Sequence, residues 1–302
     1  MKTLNTSISF CGVDFKNPII TASGTFGSGQ EYAEFFDISQ LGGITTKGVS
    51  LEPWEGNDTP RVAETPSGML NAIGLQNPGA KVFIERDLAF LENIKTNVIV
   101  NLCGHTLEEY IGIAERINET FVPLMELNVS CPNVKAGGIA FGTDPRKLEE
   151  TVREVKKHVT KPLIVKLSPN VTSISEMAKA AEVGGAEAIS LINTFTAMKI
   201  DVRKRKFLLA NKTGGLSGPA IHPIAVRMVY EAAHAVSLPI IGMGGVASGE
   251  DAVEMLMAGA KLVAVGMMNF HELGAALRIK EELESFMREE GIEDIREIES
   301  LP

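Results

Sequence analysis

Residues 126–144 read ELNVSCPNVKAGGIAFGTD. Pro123, Leu124 and Met125 lead into Leu127 and Val129, an apolar run of strand length. Asn128, Ser130, Cys131 and Asn133 stand at and just beyond the end of that strand. Ala136-Gly137-Gly138 follow as a flexible segment, and Asp144-Pro145 supplies an N-cap and a first-turn proline for a helix. A thiol between carboxamides at a strand end, then a glycine-bearing loop, then a helix, makes one strand–helix unit carrying a working site. Residues 134–141 would be its mobile cover. The same residues also suit a buried structural cysteine beside turn-forming asparagines, because free cysteine is among the most buried residue types. The rest of the chain weighs between the two.

The unit is repeated. Short apolar segments that do not alternate, rich in Val, Ile and Leu, occur at 18–22, 43–47, 97–102, 124–129, 163–167, 188–192, 239–243 and 262–266. Continuous apolar runs of this kind suit parallel strands covered on both faces. Helical patterns separate them at 30–36, 80–93, 107–119, 145–158, 173–183, 222–235 and 249–257. A last helix, 271–289, carries Leu273, Leu277, Phe286 and Met287 on roughly one face. Eight strand–helix units predict an α/β chain folded as a closed (β/α)8 TIM barrel, one domain over residues 1–302. A doubly wound open sheet would not need eight such units. Three pieces fall outside the alternation. Residues 7–15 predict a short N-terminal β-hairpin with Gly12 near its turn, plugging the lower mouth of the barrel. Residues 51–78 and 195–215 are too long for ordinary connections; both follow strands, which puts them at the C-terminal face as loop insertions.

At 302 residues and 44% hydrophobic, the chain can bury a large core. A net charge of −9 gives no basic footprint for nucleic acid. No apolar run reaches the ~20 residues that span a bilayer, and no charged-then-apolar signal segment opens the chain. Cys11, Cys103 and Cys131 are an odd number, widely spaced, with no CxxC pair. That pattern argues against a disulfide framework, a thiolate-bound metal or an iron–sulfur cluster in this chain, and favours a reduced, cytoplasmic setting.

The strand ends carry most of the functional information. In order they present Ser23, Lys47, Asn101, Asn128 with Cys131, Lys166, Asn193 with Thr194, Gly244-Gly245, and Gly266. A ring of amides, two lysines and a thiol at the face where barrel enzymes keep their chemistry exceeds what solubility alone asks of strand ends. The glycines after the last two strands let backbone approach an anion, and the helix opening near Ser248-Gly249 could add N–H donors. A phosphate-bearing ligand follows from that placement.

These residues match a known family. The chain resembles the catalytic subunit of the dihydroorotate dehydrogenases, in their NAD-linked, two-subunit bacterial form. The motifs are NPIITASGTFGSG at 17–29, TTKG at 45–48, ETPSGMLNAIGLQNPG at 64–79, NVSCPN at 128–133, VKLSPN at 165–170, INT at 192–194, GGLSGPA at 214–220 and GMGG at 242–245. The resemblance implies a bound FMN and oxidation of dihydroorotate to orotate in pyrimidine synthesis, with Cys131 as catalytic base. It implies FMN contacts from Ser23, Lys47, Gly48, Asn101, Asn128, Lys166, Ile192, Gly218, Gly244, Gly245 and Gly266. Met267 stands where the family usually has threonine beside the flavin phosphate, so only its backbone is carried over. For the substrate it implies Lys47, Asn71, Ala72, Ile73, Gly74, Leu75, Asn128, Asn133, Asn193 and Thr194. The tail after Asn269 departs from the family pattern. KAGGIAFGTD at 135–144 resembles the form that works with a partner subunit holding FAD and a [2Fe–2S] cluster, as a homodimer within a heterotetramer. A self-sufficient homodimer passing electrons to fumarate is the competing reading.

The chemistry is consistent with those residues. Dihydroorotate must lose a proton from C5 and a hydride from C6, and a flavin performs the hydride chemistry itself. A cysteine with an unperturbed pKa of about 8.5 is a plausible base near neutrality. Asparagines offer both donors and an acceptor to imide edges, with Lys47 for charge and Lys166 for the flavin. Cys11 and Cys103 read as packing residues. Two rivals remain: a Schiff-base aldolase using Lys166, and a non-catalytic phosphate-ligand binder on the same barrel. The first leaves the asparagines and Cys131 without a role; bound flavin would separate both from the dehydrogenase.

Overall fold

A computed structural model describes residues 4–130 and 141–302. The predicted cover at 134–141, apart from Phe141, lies outside the described residues, and so do Cys131 and Asn133.

Eight parallel strands close into a barrel in chain order: Ile19–Thr21, Gly43–Thr45, Asn97–Leu102, Leu124–Asn128, Leu163–Lys166, Ala188–Leu191, Ile240–Met243 and Ala260–Val265. The last strand returns to the first, with Val263 opposite Ile19 and Val265 opposite Thr21. Each predicted strand is present with its ends moved by no more than two residues. Side chains alternate along each strand. Met125 and Leu127 join the layer between barrel and helices, whereas Leu124 joins Ile20, Ile99, Ile164, Ala188, Ile241 and Leu262 inside the barrel. Glu126 and Asn128 alternate with Met125 and Leu127, so they share the inner face with Leu124.

The hairpin pairs Ile8–Phe10 with Val13–Phe15. Cys11 and Gly12 turn it with φ of 50° and 77°, the two left-handed central residues of a tight hairpin. Phe10 and Phe15 are fully buried in the interior cluster, so the hairpin does plug the barrel. It sits at the N-terminal end, where Cys11 Sγ meets the carbonyl of Glu187, just ahead of the sixth strand. Burial first, then the Glu187 charge, pushes the Cys11 thiol up to about 11, so it stays protonated and inert.

Helices start where their caps predict. Thr106, Asp144 and Ser173 each accept a first-turn N–H, and Pro145 follows Asp144 as anticipated. Such a cap contributes about 1 kcal/mol. Two helices differ from expectation. Residues 30–36 hold only the turn Gln30–Ala33. The helix expected over 271–289 is two pieces, Met268–His271 and Ala275–Glu289, and Leu273 between them is exposed. The first piece is pinned to the barrel, Asn269 donating to the Val265 carbonyl and Tyr32 to that of Asn269. The chain must therefore turn before it can lay Ala276, Ile279, Leu283 and Met287 onto the barrel layer.

The two long insertions meet in space. Phe195–Met198, Thr213–Ser217, Gly68–Asn71 and Val62–Thr65 form one four-stranded antiparallel sheet in that order. Its central register pairs Asn71 with Gly215 and Leu70 with Leu216. A small cluster of Leu70, Ala72 and Leu209 backs it. Sequence reading placed both insertions at this face without anticipating that they pair.

Candidate functional site

A cavity of about 830 Å³ opens between the C-terminal ends of the barrel strands and this sheet. Its floor comes from the strand ends and its roof from Met69, Asn71, Thr213, Gly214, Gly215 and Ser217. The predicted flavin residues Ser23, Lys47, Gly48, Asn101, Asn128, Lys166, Ile192, Gly218, Gly244, Gly245, Gly266 and Met267 all line it. So do Asn71 to Leu75, Asn193 and Thr194 from the predicted substrate set. Asn133 and Cys131 lie outside the described residues. Cys103 is fully buried with its sulfur 3.5 Å from Asn101 Oδ1, a packing position as expected.

Two ammonium groups face the cavity. Lys166 is 4% exposed and reaches across the barrel to donate to Ser23 Oγ at 3.1 Å. Lys47 is desolvated, which holds its pKa below the usual lysine value; the Cys103 thiol partly opposes this, and Arg61 and Lys166 add to it. Arg61 also lines the cavity, bonded to the Asn57 carbonyl and to Gln76. Among the described residues no carboxylate pairs with Lys47, Lys166 or Arg61. A chain with net charge −9 thus keeps a cationic cavity, which suits an anionic ligand.

This makes a testable statement about the ligand-free protein. The unfolded chain holds the Lys47 proton more tightly than the folded one, so stability rises with pH through the interval below the ordinary lysine value. As pH rises through that interval, the melting temperature should rise relative to that of Lys47→Met. Parallel profiles for the two proteins would remove the buried charge as the cause.

Buried amides line the floor. Asn101 Nδ2 donates to Glu126 Oε1 at 2.5 Å, and Ser190 Oγ donates to Glu126 Oε2 at 2.6 Å. Asn128 Nδ2 donates to Asn101 Oδ1 at 3.3 Å, and Ser130 Oγ donates to Asn128 Oδ1 at 2.8 Å. Asn193 Nδ2 donates to Ser130 Oγ, and Asn193 Oδ1 accepts from the Thr194 N–H. Glu126 and Ser190 were not singled out as site residues from the sequence, whereas Ser130 stood among the strand-end residues named there. Period-two alternation was the available signal, since Glu126 is two before Asn128 and Ser190 two before Ile192.

The glycine ends form a separate subsite. Gly244 and Gly245 adopt φ of 131° and 72°, which favour glycine. A Cβ on Gly245 would stand 2.7 Å from the Gly218 carbonyl oxygen and 2.8 Å from the His222 backbone nitrogen. Among the described residues, no hydrogen bond engages the N–H groups of Gly244, Gly245, Gly266 or Met267. Four unengaged donors lining one cavity fit a phosphate. The expected contribution of the helix at Gly249 is not found. Asp251 accepts the N–H groups of Ala247 and Ser248, Glu282 accepts that of Gly249, and Ser248 Oγ accepts that of Asp251. That helix end is already capped. His222, also missed from sequence, sets its Nδ1 2.9 Å from the Gly244 carbonyl and its Nε2 3.0 Å from Glu254, steadying the turn. Among the described residues no helix is long and apolar enough to cross a membrane.

Residues 5–287 match the protein family described as dihydroorotate dehydrogenase. The chain is 61% identical over 295 residues to the dihydroorotate dehydrogenase B (NAD(+)) catalytic subunit of Lachnoclostridium phytofermentans, covering 98% of each chain. It is 54% identical to the subunit of that name from Alkaliphilus metalliredigens, covering 99% of each. The corresponding protein of Geobacter sulfurreducens is 52% identical, over 99% of this chain and 98% of its own.

Proposed function

Given that the chain belongs to the dihydroorotate dehydrogenase family, we propose that it oxidises (S)-dihydroorotate to orotate in pyrimidine synthesis as the FMN-bearing subunit of an NAD-linked enzyme. The observation that carries this reading is one cavity with two separate anion-binding features. Unengaged N–H donors lie at the ends of the seventh and eighth strands, and Lys47 with a floor of amides lies elsewhere in the same cavity. The first suits a flavin phosphate and the second a planar, carboxylate-bearing imide.

Bound FMN would accept the hydride from C6 of the substrate. The remaining work falls to this chain. The N–H groups of Gly244, Gly245, Gly266 and Met267 hold the phosphate, and Lys166 Nζ, steadied by Ser23, supplies positive charge to the ring system. Lys47 Nζ pairs with the substrate carboxylate, while Asn71, Asn128, Asn193 and Thr194 fix the imide edges and Asn133 completes the set. Cys131 Sγ takes the proton from C5. The sheet over the cavity limits water, which strengthens each of these polar contacts. The resident lysines have no carboxylate partner among the described residues, so the anionic ligands relieve an existing imbalance.

The finer assembly belongs to the same proposal. The chain forms a homodimer that joins a partner carrying FAD and a [2Fe–2S] cluster, and acts in the cytoplasm. No strand–GxGxxG–helix unit for a second nucleotide is legible in this sequence, so NAD needs the partner. The purified chain should be yellow with a flavin spectrum, and should reduce an artificial dye with dihydroorotate but not NAD. NAD reduction should appear when the partner is added. A colourless protein without this activity would sink the dehydrogenase reading. Efficient turnover with fumarate, unchanged by the partner, would instead sink the two-subunit reading.

A further inference from the structure

A carboxamide has two ends of nearly the same shape, one donating and one accepting, so a row of asparagines can run in either sense. A group that can only accept or only donate must choose. We propose that Glu126 is a positioning residue that fixes the donor–acceptor sense of Asn101, the inner end of the row, while the N–H groups of Ser130 and Thr194 hold Asn128 and Asn193. The proposal rests on reading the cavity as the FMN and dihydroorotate site.

Glu126 is 1% exposed inside the barrel, and both of its oxygens act as acceptors. Ser190 donates to one oxygen, which leaves the other for Asn101, and Asn101 must meet it with its NH2. Asn101 Oδ1 is thereby turned the other way, where Asn128 Nδ2 and the Cys103 thiol donate to it. Asn128 has then only Oδ1 to offer Ser130, and it accepts both the hydroxyl and the N–H of that residue. The Ser130 hydroxyl, its proton directed to Asn128, accepts from Asn193 Nδ2. The outer members agree with this sense independently, because the Ser130 N–H donates to Asn128 Oδ1 and the Thr194 N–H to Asn193 Oδ1.

The sense matters for the ligand. The carbonyl oxygens of Asn101 and Asn128 are each met by two donors, so their lone pairs are occupied. The two carboxamide nitrogens each use one proton on the row and keep a second. The row therefore presents spare N–H donors, the property that recognises an electron-rich ligand edge carrying carbonyl or carboxylate oxygens. A neutral group at position 126 would let Asn101 flip, setting its NH2 against Asn128 Nδ2 and misplacing its spare N–H.

Glu126→Gln tests this at constant shape. In the ligand-free protein with 15N-labelled asparagine, the side-chain NH2 resonance of Asn101 should shift, while that of Asn193, held by the Thr194 N–H, should keep its wild-type position. FMN affinity of the apoprotein should fall about 10-fold, and orotate affinity of the loaded protein about 10- to 100-fold. The melting temperature should stay within about 3 °C, because no cavity is created. An Asn101 resonance that does not shift, or FMN affinity within twofold of wild type, overturns the proposal. If the wild-type protein bound neither FMN nor orotate, the functional reading would fail while the resonances still decided the role of Glu126. Should the variant not fold, neutron diffraction of the wild type decides directly. Deuterium on Asn101 Nδ2 facing an unprotonated Glu126 supports the assignment, and a protonated Glu126 or a reversed Asn101 overturns it.

Discussion

Cys131→Ala is expected to slow reduction of the bound flavin by dihydroorotate about 10²- to 10⁴-fold, the usual worth of a general base. FMN and orotate affinities should change by no more than a few-fold, since the thiol serves proton removal rather than binding. The basis is the NVSCPN motif and the position of Cys131 immediately after Ser130, whose hydroxyl belongs to the amide row of the floor. Removing the C5 proton without a base leaves the reaction to water, which the covered cavity limits. Cys131→Ser makes a sharper version, because a hydroxyl is a much weaker acid than a thiol. Its rate near neutrality should be low and should climb as pH rises. Anaerobic stopped-flow bleaching of the flavin measures both. An alanine variant that bleaches at the wild-type rate would remove Cys131 from the mechanism.

The second large effect belongs to Gly245. Its φ of 72° costs a residue with Cβ about 1–2 kcal/mol, and the added methyl would lie 2.7 Å from the Gly218 carbonyl oxygen. That oxygen is backbone and cannot swing aside, so overlap adds about 1–3 kcal/mol. The turn of Gly245→Ala relaxes away from the cavity, and binding FMN must restore it. FMN affinity should drop by about 30- to 4,000-fold, corresponding to about 2–5 kcal/mol. Gly12→Ala is the control: φ is 77°, but nothing lies within 4 Å of the new methyl, and the hairpin is at the opposite end of the barrel. It should lose stability without losing FMN. Titration of the apoproteins by quenching of FMN fluorescence reads both, and equal affinities for Gly245→Ala and wild type would exclude the glycine turn as the phosphate subsite.

Local signals were legible and non-local ones were not. A run such as Leu163–Val165 is apolar because both of its faces are covered, and that shows in three consecutive residues. The cap at Asp144 and the turn at Gly12 are equally local. The site residues at strand ends could be read because barrel topology assigns them a common face. The roof could not. Gly68–Asn71 and Thr213–Ser217 are short, partly exposed segments without a marked apolar face, and they pair with each other only in the folded chain. Glu126 is another case. An acid in an apolar strand gains meaning only when closure brings Ser190 across the barrel to it. The capped helix at Gly249 depends likewise on Glu282, a residue of the last helix. The break at 272–274 was hidden because Leu273 and Leu277 keep helical spacing while the tie at Asn269 forces the turn.

The register of the roof also orders events during synthesis. Asn71 pairs with Gly215, and four barrel strands are encoded between them. A ribosome must therefore deliver six of the eight barrel strands before Gly68–Asn71 has its second neighbour, and the strand already made, paired only with Val62–Thr65, waits with one edge open. Loop-closure entropy over so long an interval makes this pairing slower than the mostly neighbour-to-neighbour pairings of the barrel wall. The glycine turns after the seventh and eighth strands emerge later still. A nascent chain thus holds six strands of its wall first, the ceiling strand Thr213–Ser217 next, and the last two wall strands with their phosphate cradle at the end, so cofactor capture is the closing step of its maturation.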